Sequence, residues 1–231
     1  AIEYRAYDVE FNAGDHNIIY ALVQQEGDFA FYISNDHGIS FEKDFGFPEE
    51  IPDASGGMIA VTPADHGKIA VIMLSGEGTP WLYGFNRDTN GWNILAKGKT
   101  NELPLDNGQG YFDLVLEYDP LDENIIFAGT TTLYKSEDGG DNFHAIGGYQ
   151  GSFPIHPDIQ DMKLMPNGDT WVSTDGGFTL TTDDFTSVSN AHSRNNNLIG
   201  SDMWGFGQGW NEDIMVGGRY HNGNTAIGEF Y

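Results

Sequence analysis

The sequence predicts an all-β protein built from repeated four-stranded antiparallel sheets, and three features of its 231 residues indicate this class. Glycine occurs 31 times and aromatic side chains make up 13%, a composition typical of aromatic-rich strands joined by tight turns. A turn followed by a strand also recurs along the chain at the spacing that four short strands require. Finally, no run of 18 apolar residues, the length of a membrane-spanning helix, interrupts this pattern.

The repeat has five copies, and each begins with a turn rich in Pro, Asp, Asn or Gly. The copies are FNAGDHNIIYAL (11–22), VTPADHGKIAVI (61–72), YDPLDENIIFAGT (118–130), MPNGDTWVST (165–174) and GQGWNEDIMVGG (207–218). Aligning them makes five strand positions equivalent, and these are Ile19, Ile69, Ile126, Trp171 and Met215. The repeat therefore predicts five similar sheets in succession.

A short apolar strand precedes each copy and is expected to be the innermost strand of its sheet. These strands are Tyr7–Phe11, Met58–Val61, Phe112–Leu116, Asp161–Met165 and Met203–Phe206. Sheets of this kind, repeated radially, form a β-propeller. The predicted blades cover about residues 4–50, 56–100, 111–148, 158–190 and 201–231, so four and a half to five blades are present.

The fifth predicted blade stops in its third strand. Its outer strand could come from residues 1–5, which would close a five-bladed ring. Alternatively, the ring continues with further blades in the same chain or in another one, because an open propeller leaves edge strands unpaired.

A hairpin motif, Ser-x-Asp-x-Gly-x-x-aromatic, follows the third strand in two copies of the repeat. Its residues are Ser34, Asp36, Gly38 and Phe41 in the first copy and Ser136, Asp138, Gly140 and Phe143 in the second. The carboxylate can accept backbone N–H bonds across the turn, while glycine permits a positive φ. The aromatic ring is expected to be buried against the neighbouring sheet, so these residues have a structural role. Shorter versions are expected at residues 86–92 and 181–185.

These motifs resemble the Asp-box, or BNR, propellers of sialidases, sortilin-type receptors and xyloglucan-cleaving glycoside hydrolases. Residues 156–218 are further similar to a blade pair of secreted bacterial BNR-repeat proteins, which implies a secreted or cell-surface bacterial protein. Sialidase activity is not expected, since it needs an arginine cluster and the sequence has only Arg5, Arg87, Arg194 and Arg219. In a propeller of this type, ligands are expected on the face opposite the Ser-x-Asp hairpins.

Polar side chains gather in the loops predicted for that face. The candidate ligand-binding residues are His156, Asp158, Asp161, Asp175, Arg219, His221 and Asn222. Carboxylates, imidazoles and amides in one cleft suit a ligand rich in hydroxyl groups, or a calcium ion. Asp158, Asp161 and Asp175 are also the candidate catalytic residues, since a pair of carboxylates can cleave glycosidic bonds.

Two functions follow from this pattern. The first is a non-catalytic propeller that presents one face to a glycan or protein ligand. The alternative is a polysaccharide hydrolase or lyase that uses paired carboxylates on the same face. The formal net charge of −25 disfavours nucleic acid as a partner, and the lack of a long apolar run disfavours membrane insertion. An acidic surface more often serves solubility, and calcium is the one cofactor with which the acidic composition is compatible.

Overall fold

The computed structural model describes residues 5–48, 54–75, 80–86, 89–97, 105, 109–198, 203–211, 213–219 and 223–228. In these residues the chain is all-β, and the one helical segment is a 3₁₀ turn at Val188–Asn190. The chain divides into two compact units, Ala1–Arg194 and Asn195–Tyr231. Among the described residues, no helix has the length and apolarity needed to cross a membrane.

The first unit contains four antiparallel sheets of four strands, arranged as the blades of a β-propeller. Each strand pairs with its neighbour in sequence, so every blade is a simple meander. Blade 1 consists of β1 (Arg5–Phe11), β2 (Ile19–Gln25), β3 (Asp28–Ser34) and β4 (Glu42–Lys43). Blade 2 consists of β5 (Ala54–Val61), β6 (Lys68–Ser75), β7 (Pro80–Asn86) and β8 (Gly91–Lys97).

Blades 3 and 4 complete this unit. Blade 3 consists of β9 (Val115–Tyr118), β10 (Ile126–Gly129), β11 (Thr132–Ser136) and β12 (His144–Gly148). Blade 4 consists of β13 (Ile159–Leu164), β14 (Thr170–Thr174), β15 (Gly177–Thr181) and β16 (His192–Ser193). The second unit holds a three-stranded sheet of β17 (Met203–Gln208), β18 (Ile214–Arg219) and β19 (Gly223–Gly228).

The repeat alignment needs one correction, in blade 4. Ile126 lies opposite Ser136 in blade 3, and the corresponding pair in blade 4 is Thr170 with Thr181, one residue earlier than Trp171. A shift of one residue in a strand turns the side chain to the other face of the sheet. Thr170 is accordingly fully buried, whereas Trp171 is 37% exposed.

The innermost strand of blade 3 also begins later than predicted. The backbone N–H groups of Phe112 and Asp113 both donate to the carbonyl oxygen of Gln109, at 2.7 and 2.9 Å, and so form a turn. β9 therefore covers Val115–Tyr118 rather than Phe112–Leu116. Phe112 is 61% exposed in the turn instead of being buried in the strand.

Three apolar clusters seal the junctions between successive blades. A buried Leu, Ile or Phe side chain contributes about 1.5–3 kcal/mol by transfer from water, so these clusters supply most of the stability. Their fully buried members include Leu22, Phe31 and Val71 at the first junction, Ile72, Leu82 and Ile126 at the second, and Phe127, Ile159 and Val172 at the third. At the first junction Trp92 fills the wedge, 5.0 Å from the Phe31 ring, and its indole N–H donates to Asp44 Oδ2 at 2.8 Å.

A side chain just after the innermost strand joins blade to blade. In blade 1, Asn12 Nδ2 donates to the carbonyl oxygen of His66 in blade 2 at 2.8 Å. In blade 2, Thr62 Oγ1 donates to the carbonyl oxygen of Asp119 in blade 3 at 2.7 Å. Each side chain also caps its own turn; Asn12 Oδ1, for example, accepts the N–H of Gly14 at 2.9 Å. The turn that defines the repeat is thus also an interblade contact.

The blades give the first unit two faces. We call the upper face the side on which the innermost strands begin; the turns between second and third strands lie there too. We call the lower face the opposite side, which carries the turns after the innermost strands and the hairpins between third and fourth strands.

Candidate functional site

On the lower face, the Ser-x-Asp hairpin of blade 1 is held by its own side chains. Ser34 Oγ donates to Asp36 Oδ1 at 2.8 Å and accepts the N–H of Gly38 at 2.9 Å. Asp36 accepts the N–H and the hydroxyl of Ser40, at 2.9 and 2.6 Å. The bonds from Ser40, together with that from Ser34, lower the pKa of Asp36 to about 2.

The hairpin of blade 3 repeats this arrangement. Ser136 Oγ donates to Asp138 Oδ1 and accepts the N–H of Gly140, both at 2.9 Å. Asn142 takes the place of serine and donates its side-chain N–H to Asp138 Oδ2 at 2.7 Å. This bond, with the backbone bond from Asn142, lowers the pKa of Asp138.

The two less regular hairpins differ in how much of the pattern they keep. In blade 4, Thr181 Oγ1 donates to Asp183 Oδ1 at 2.7 Å and the N–H of Ser187 donates to Asp183 Oδ2 at 3.0 Å. In blade 2, the N–H of Thr89 donates to Asn86 Oδ1 at 3.3 Å. Residues 87 and 88 of that hairpin lie outside the described residues.

The two aromatic residues that end the full motifs have different environments. Phe143 is half-buried against the core between blades 2 and 3, as expected. Phe41 is 41% exposed, so its predicted burial was wrong. Phe143 packs toward the preceding blade, and among the described residues of this unit no blade precedes blade 1 to cover Phe41.

On the upper face, Asp158 stands directly before β13 in the left-handed region, at a φ of 65°. Few residues other than glycine adopt this region, although aspartate does so more easily than most. The N–H of Ile159 donates to the carbonyl oxygen of Thr130, at 2.8 Å, and fixes the segment against blade 3. Gln109 Nε2 lies 3.4 Å from Asp158 Oδ1 and joins the turn before blade 3 to the start of blade 4.

Asp175 lies in the turn between β14 and β15. Gln160 Nε2 donates to Asp175 Oδ1 at 3.0 Å, and Asp175 itself is exposed. Thr174 Oγ1 accepts the N–H of Gly176 at 3.2 Å and donates to the carbonyl oxygen of Gly177 at 3.1 Å. The STDGG segment therefore builds an upper-face turn rather than a lower-face hairpin.

His156 packs beside this turn. A Cβ atom at Gly176 would lie 2.4 Å from His156 Cγ, so only glycine leaves room for the imidazole there. His156 Nδ1 is 2.9 Å from the carbonyl oxygen of Pro157. The imidazole, the Asp175 turn and Asp158 thus belong to one stretch of the upper face, where blade 4 begins.

Three exposed aromatic side chains lie on the same face, and two of them, Phe112 and Tyr149, were not expected there. Tyr111 is 76% exposed, Phe112 is 61% exposed and Tyr149 is 71% exposed. Tyr111 and Phe112 lie in the turn before β9, and Tyr149 follows β12. An aromatic residue in a predicted interblade segment was the sequence feature that could have identified them. Phe112, however, was assigned to the innermost strand of blade 3.

The remaining candidates do not join this stretch. Asp161 lies inside β13, and its charge acts on Glu117 and Lys163 of the innermost strands. Arg219 is the last residue of β18 in the second unit. His221 and Asn222 lie outside the described residues. Among the described residues, no group of three or more His, Asp or Glu side chains is placed to hold a metal ion.

Comparison with known proteins identifies the fold. The sequence matches no protein-family model and no curated protein. In structure the chain is similar to a GH74 enzyme of Niastella koreensis, with a TM-score of 0.56 and 15% identity over 93% of this chain and 28% of that one. It is also similar to YCF48 of Cyanidioschyzon merolae, with a TM-score of 0.54 and 14% identity over 93% of this chain and 64% of that one.

A third similar structure is the GH74 xyloglucanase of Xanthomonas campestris. Here the TM-score is 0.51 and the identity 18%, over 95% of this chain and 30% of that one. The chain thus spans less than two thirds of each of these proteins. These likenesses assign the chain to the β-propeller fold.

Proposed function

We propose that the chain is an Asp-box propeller that binds a glycan on its upper face without cleaving it. The observation that carries this proposal is the combination of polar pairs and exposed aromatic rings on one face. Gln109 with Asp158 and Gln160 with Asp175 offer amide and carboxylate groups to hydroxyl groups of a ligand. The exposed rings of Tyr111 and Tyr149 each offer a flat apolar surface with a polar hydroxyl, and Phe112 adds an exposed apolar ring.

The charge of the protein narrows the ligand to a neutral glycan. A formal net charge of −25 opposes the approach of uronic acids, sialic acids and sulfated chains. One of the proteins of similar fold is a xyloglucanase, so this fold is compatible with a glycan ligand.

The arrangement of the carboxylates favours binding over hydrolysis. A glycoside hydrolase needs two carboxyl groups on either side of the scissile bond. Asp158 and Asp175 are each engaged by a glutamine, and Asp161 lies with the innermost strands.

A hydrolase or lyase is the second candidate, and the backbone of Asp158 favours it. A residue other than glycine held at a φ of 65° stores strain, and such residues cluster at functional sites. In that case Asp158 would take part in the cleavage of the glycan.

Affinity electrophoresis in gels that contain a soluble neutral β-glucan or mannan tests the proposal, with polygalacturonate as the acidic contrast. We expect the neutral glycans to retard the protein, and both Asp175→Asn and Tyr149→Ala to abolish the retardation. The matched controls are Asp141→Asn and Phe11→Ala, which change exposed residues of the lower face. Equal retardation of all four variants would contradict the site.

Measurement of reducing ends on the same glycans separates the two candidates. We expect none to be released. Release that Asp158→Asn abolishes, while the fold and the melting temperature stay unchanged, would replace binding with hydrolysis.

A further inference from the structure

The four innermost strands of the first unit place one residue each at the same level of the propeller axis. Glu10, Ala60, Glu117 and Lys163 occupy this level, because they lie opposite equivalent residues of the second strands. Lys163 Nζ lies 2.7 Å from Glu117 Oε1 and so joins blade 4 to blade 3. We call this level and its charged neighbours the axial cluster.

Two further carboxylates complete the axial cluster. Asp8 Oδ2 accepts the N–H of Ile59 at 2.7 Å and joins blade 1 to blade 2. Asp161 acts electrostatically on both Glu117 and Lys163. β5, the innermost strand of blade 2, contributes no ionisable side chain. The axial cluster therefore contains four carboxylates, from β1, β9 and β13, and one ammonium group.

This excess of carboxylates favours the uptake of a proton. Burial raises the pKa of Glu117, although contact with Lys163 opposes the change. Burial likewise raises the pKa of Glu10, and the charges of Asp8 and Glu117 raise it further. Burial also raises the pKa of Asp8.

The raised pKa values of these carboxyl groups determine how stability changes with pH. A carboxyl group whose pKa is higher in the folded state binds a proton more tightly there than in the unfolded chain. Its stabilising contribution is complete below the unfolded pKa, about 4 for Asp and Glu. The contribution is lost as the pH rises through the raised, folded-state pKa. The axial cluster should therefore hold the blades more firmly in mildly acidic than in neutral solution.

We propose that the axial cluster is a proton-sensitive lock on the four-blade unit. In mildly acidic solution, protonation among Asp8, Glu10 and Glu117 reduces the repulsion between blades 1 and 3. In neutral solution this protonation is lost, and Lys163 alone balances the carboxylates. The proposal concerns the stability of the propeller and is independent of any ligand on the upper face.

Thermal unfolding of the full chain at about pH 5.5 and about pH 8 tests the lock. We expect the wild-type melting temperature to be roughly 2–4 °C higher at the lower pH, as a change of about 1 kcal/mol produces in a chain of this size. Glu10→Gln should raise the melting temperature at the higher pH and reduce the difference between the two conditions. Glu26→Gln is the control, because it removes the same charge from the exposed turn between β2 and β3.

A second variant guards against a general effect of net charge. Lys163→Met should lower the melting temperature more at about pH 8 than at about pH 5.5, because it removes the one cation of the axial cluster. Equal effects of Glu10→Gln and Glu26→Gln, or a melting temperature that falls on acidification to about pH 5.5, would overturn the lock. The lock would also be overturned if added Ca²⁺ raised the melting temperature at about pH 8 and Glu10→Gln abolished this effect, because the axial cluster would then bind a cation.

Discussion

The lower and upper faces of the four-blade unit use aspartate in two different ways. Asp36 on the lower face receives its hydrogen bonds from residues two and four positions away, within one hairpin. On the upper face, the glutamines that engage Asp175 and Asp158 lie 15 and 49 positions away. The same carboxylate thus serves a local turn on one face and joins separate segments on the other.

This difference shows which carboxylates contribute to folding and which are suited to a ligand. A local turn forms its bonds as soon as the hairpin closes, so its carboxylate stabilises the blade. The bond from Gln160 to Asp175 forms only once blade 4 has folded, and that from Gln109 to Asp158 only once blades 3 and 4 are both in place. The Gln160 bond also leaves the exposed carboxylate of Asp175 at the surface, where a ligand can reach it. The following substitutions test this division, from the largest expected effect on stability to the smallest.

Ser136→Ala should have the largest effect. Ser136 is fully buried, and its hydroxyl accepts the N–H of Gly140. Removing the hydroxyl leaves a buried donor without its partner, at a cost of about 1–3 kcal/mol. Denaturant unfolding should show this loss, and glycan retardation should not change. Unchanged stability would mean that the hairpin contributes little to the blade.

Strong acid should remove the stabilising contribution of the lower-face aspartates. A carboxylate with a lowered pKa stabilises the fold above its unfolded pKa, about 3.9 for aspartate. For Asp36 this contribution is lost as the pH falls through about 2. Between about pH 4 and pH 2, the melting temperature should therefore fall less steeply with decreasing pH for Asp36→Asn than for the exposed control Asp28→Asn. Identical pH profiles would contradict this role.

Gly176→Ala should affect binding more than stability. The new methyl group would lie within 2.6 Å of His156 Cβ, Cγ and Cδ2, and because rotation of the ring cannot move Cβ, the exposed turn must shift locally. Point substitutions typically cost about 1 kcal/mol of unfolding free energy, and we expect a loss of that order here. Glycan affinity should fall, because the imidazole moves from its place beside Asp175. Gly91→Ala, in the lower-face hairpin of blade 2, is the control, because its new methyl group would make only ordinary contacts at 3.8 Å or more.

Gln160→Ala should have the smallest effect on stability. Its bond to Asp175 is exposed, so water replaces the amide with little loss. The free energy of unfolding, measured by chemical denaturation, should equal that of the wild type within error, while the glycan should retard the variant less. A clear loss of stability with normal binding would reverse the division between the two faces.

The local parts of the fold could be predicted from the sequence. The spacing of the turns predicts the succession of sheets, and Ser34 with Asp36 predicts a closed hairpin, because the bonds involved span only a few residues. The alignment also separates the STDGG turn from the hairpins. In each case the interacting groups are adjacent in the chain, so the pattern of residues contains the contact.

Other features needed the structure because a single inserted or shifted residue changes which way a side chain points. The bulge between Ile159 and Asp161 in β13 separates Asp161 from Asp158 and places it with the axial cluster. The register of β14 turns Trp171 outward and Thr170 inward. Neither the bulge nor the register shift changes the pattern of apolar residues enough to be predicted from the sequence.

The sequence by itself determined an all-β chain, its repeated turns and the hairpins that close them, since these depend on contacts between near neighbours. Only the tertiary structure decided which charged residues meet. Glu10, Glu117 and Lys163 are far apart in sequence and lie on three different blades. They form one cluster because the blades pack around a common axis, and no local pattern encodes which blades face one another.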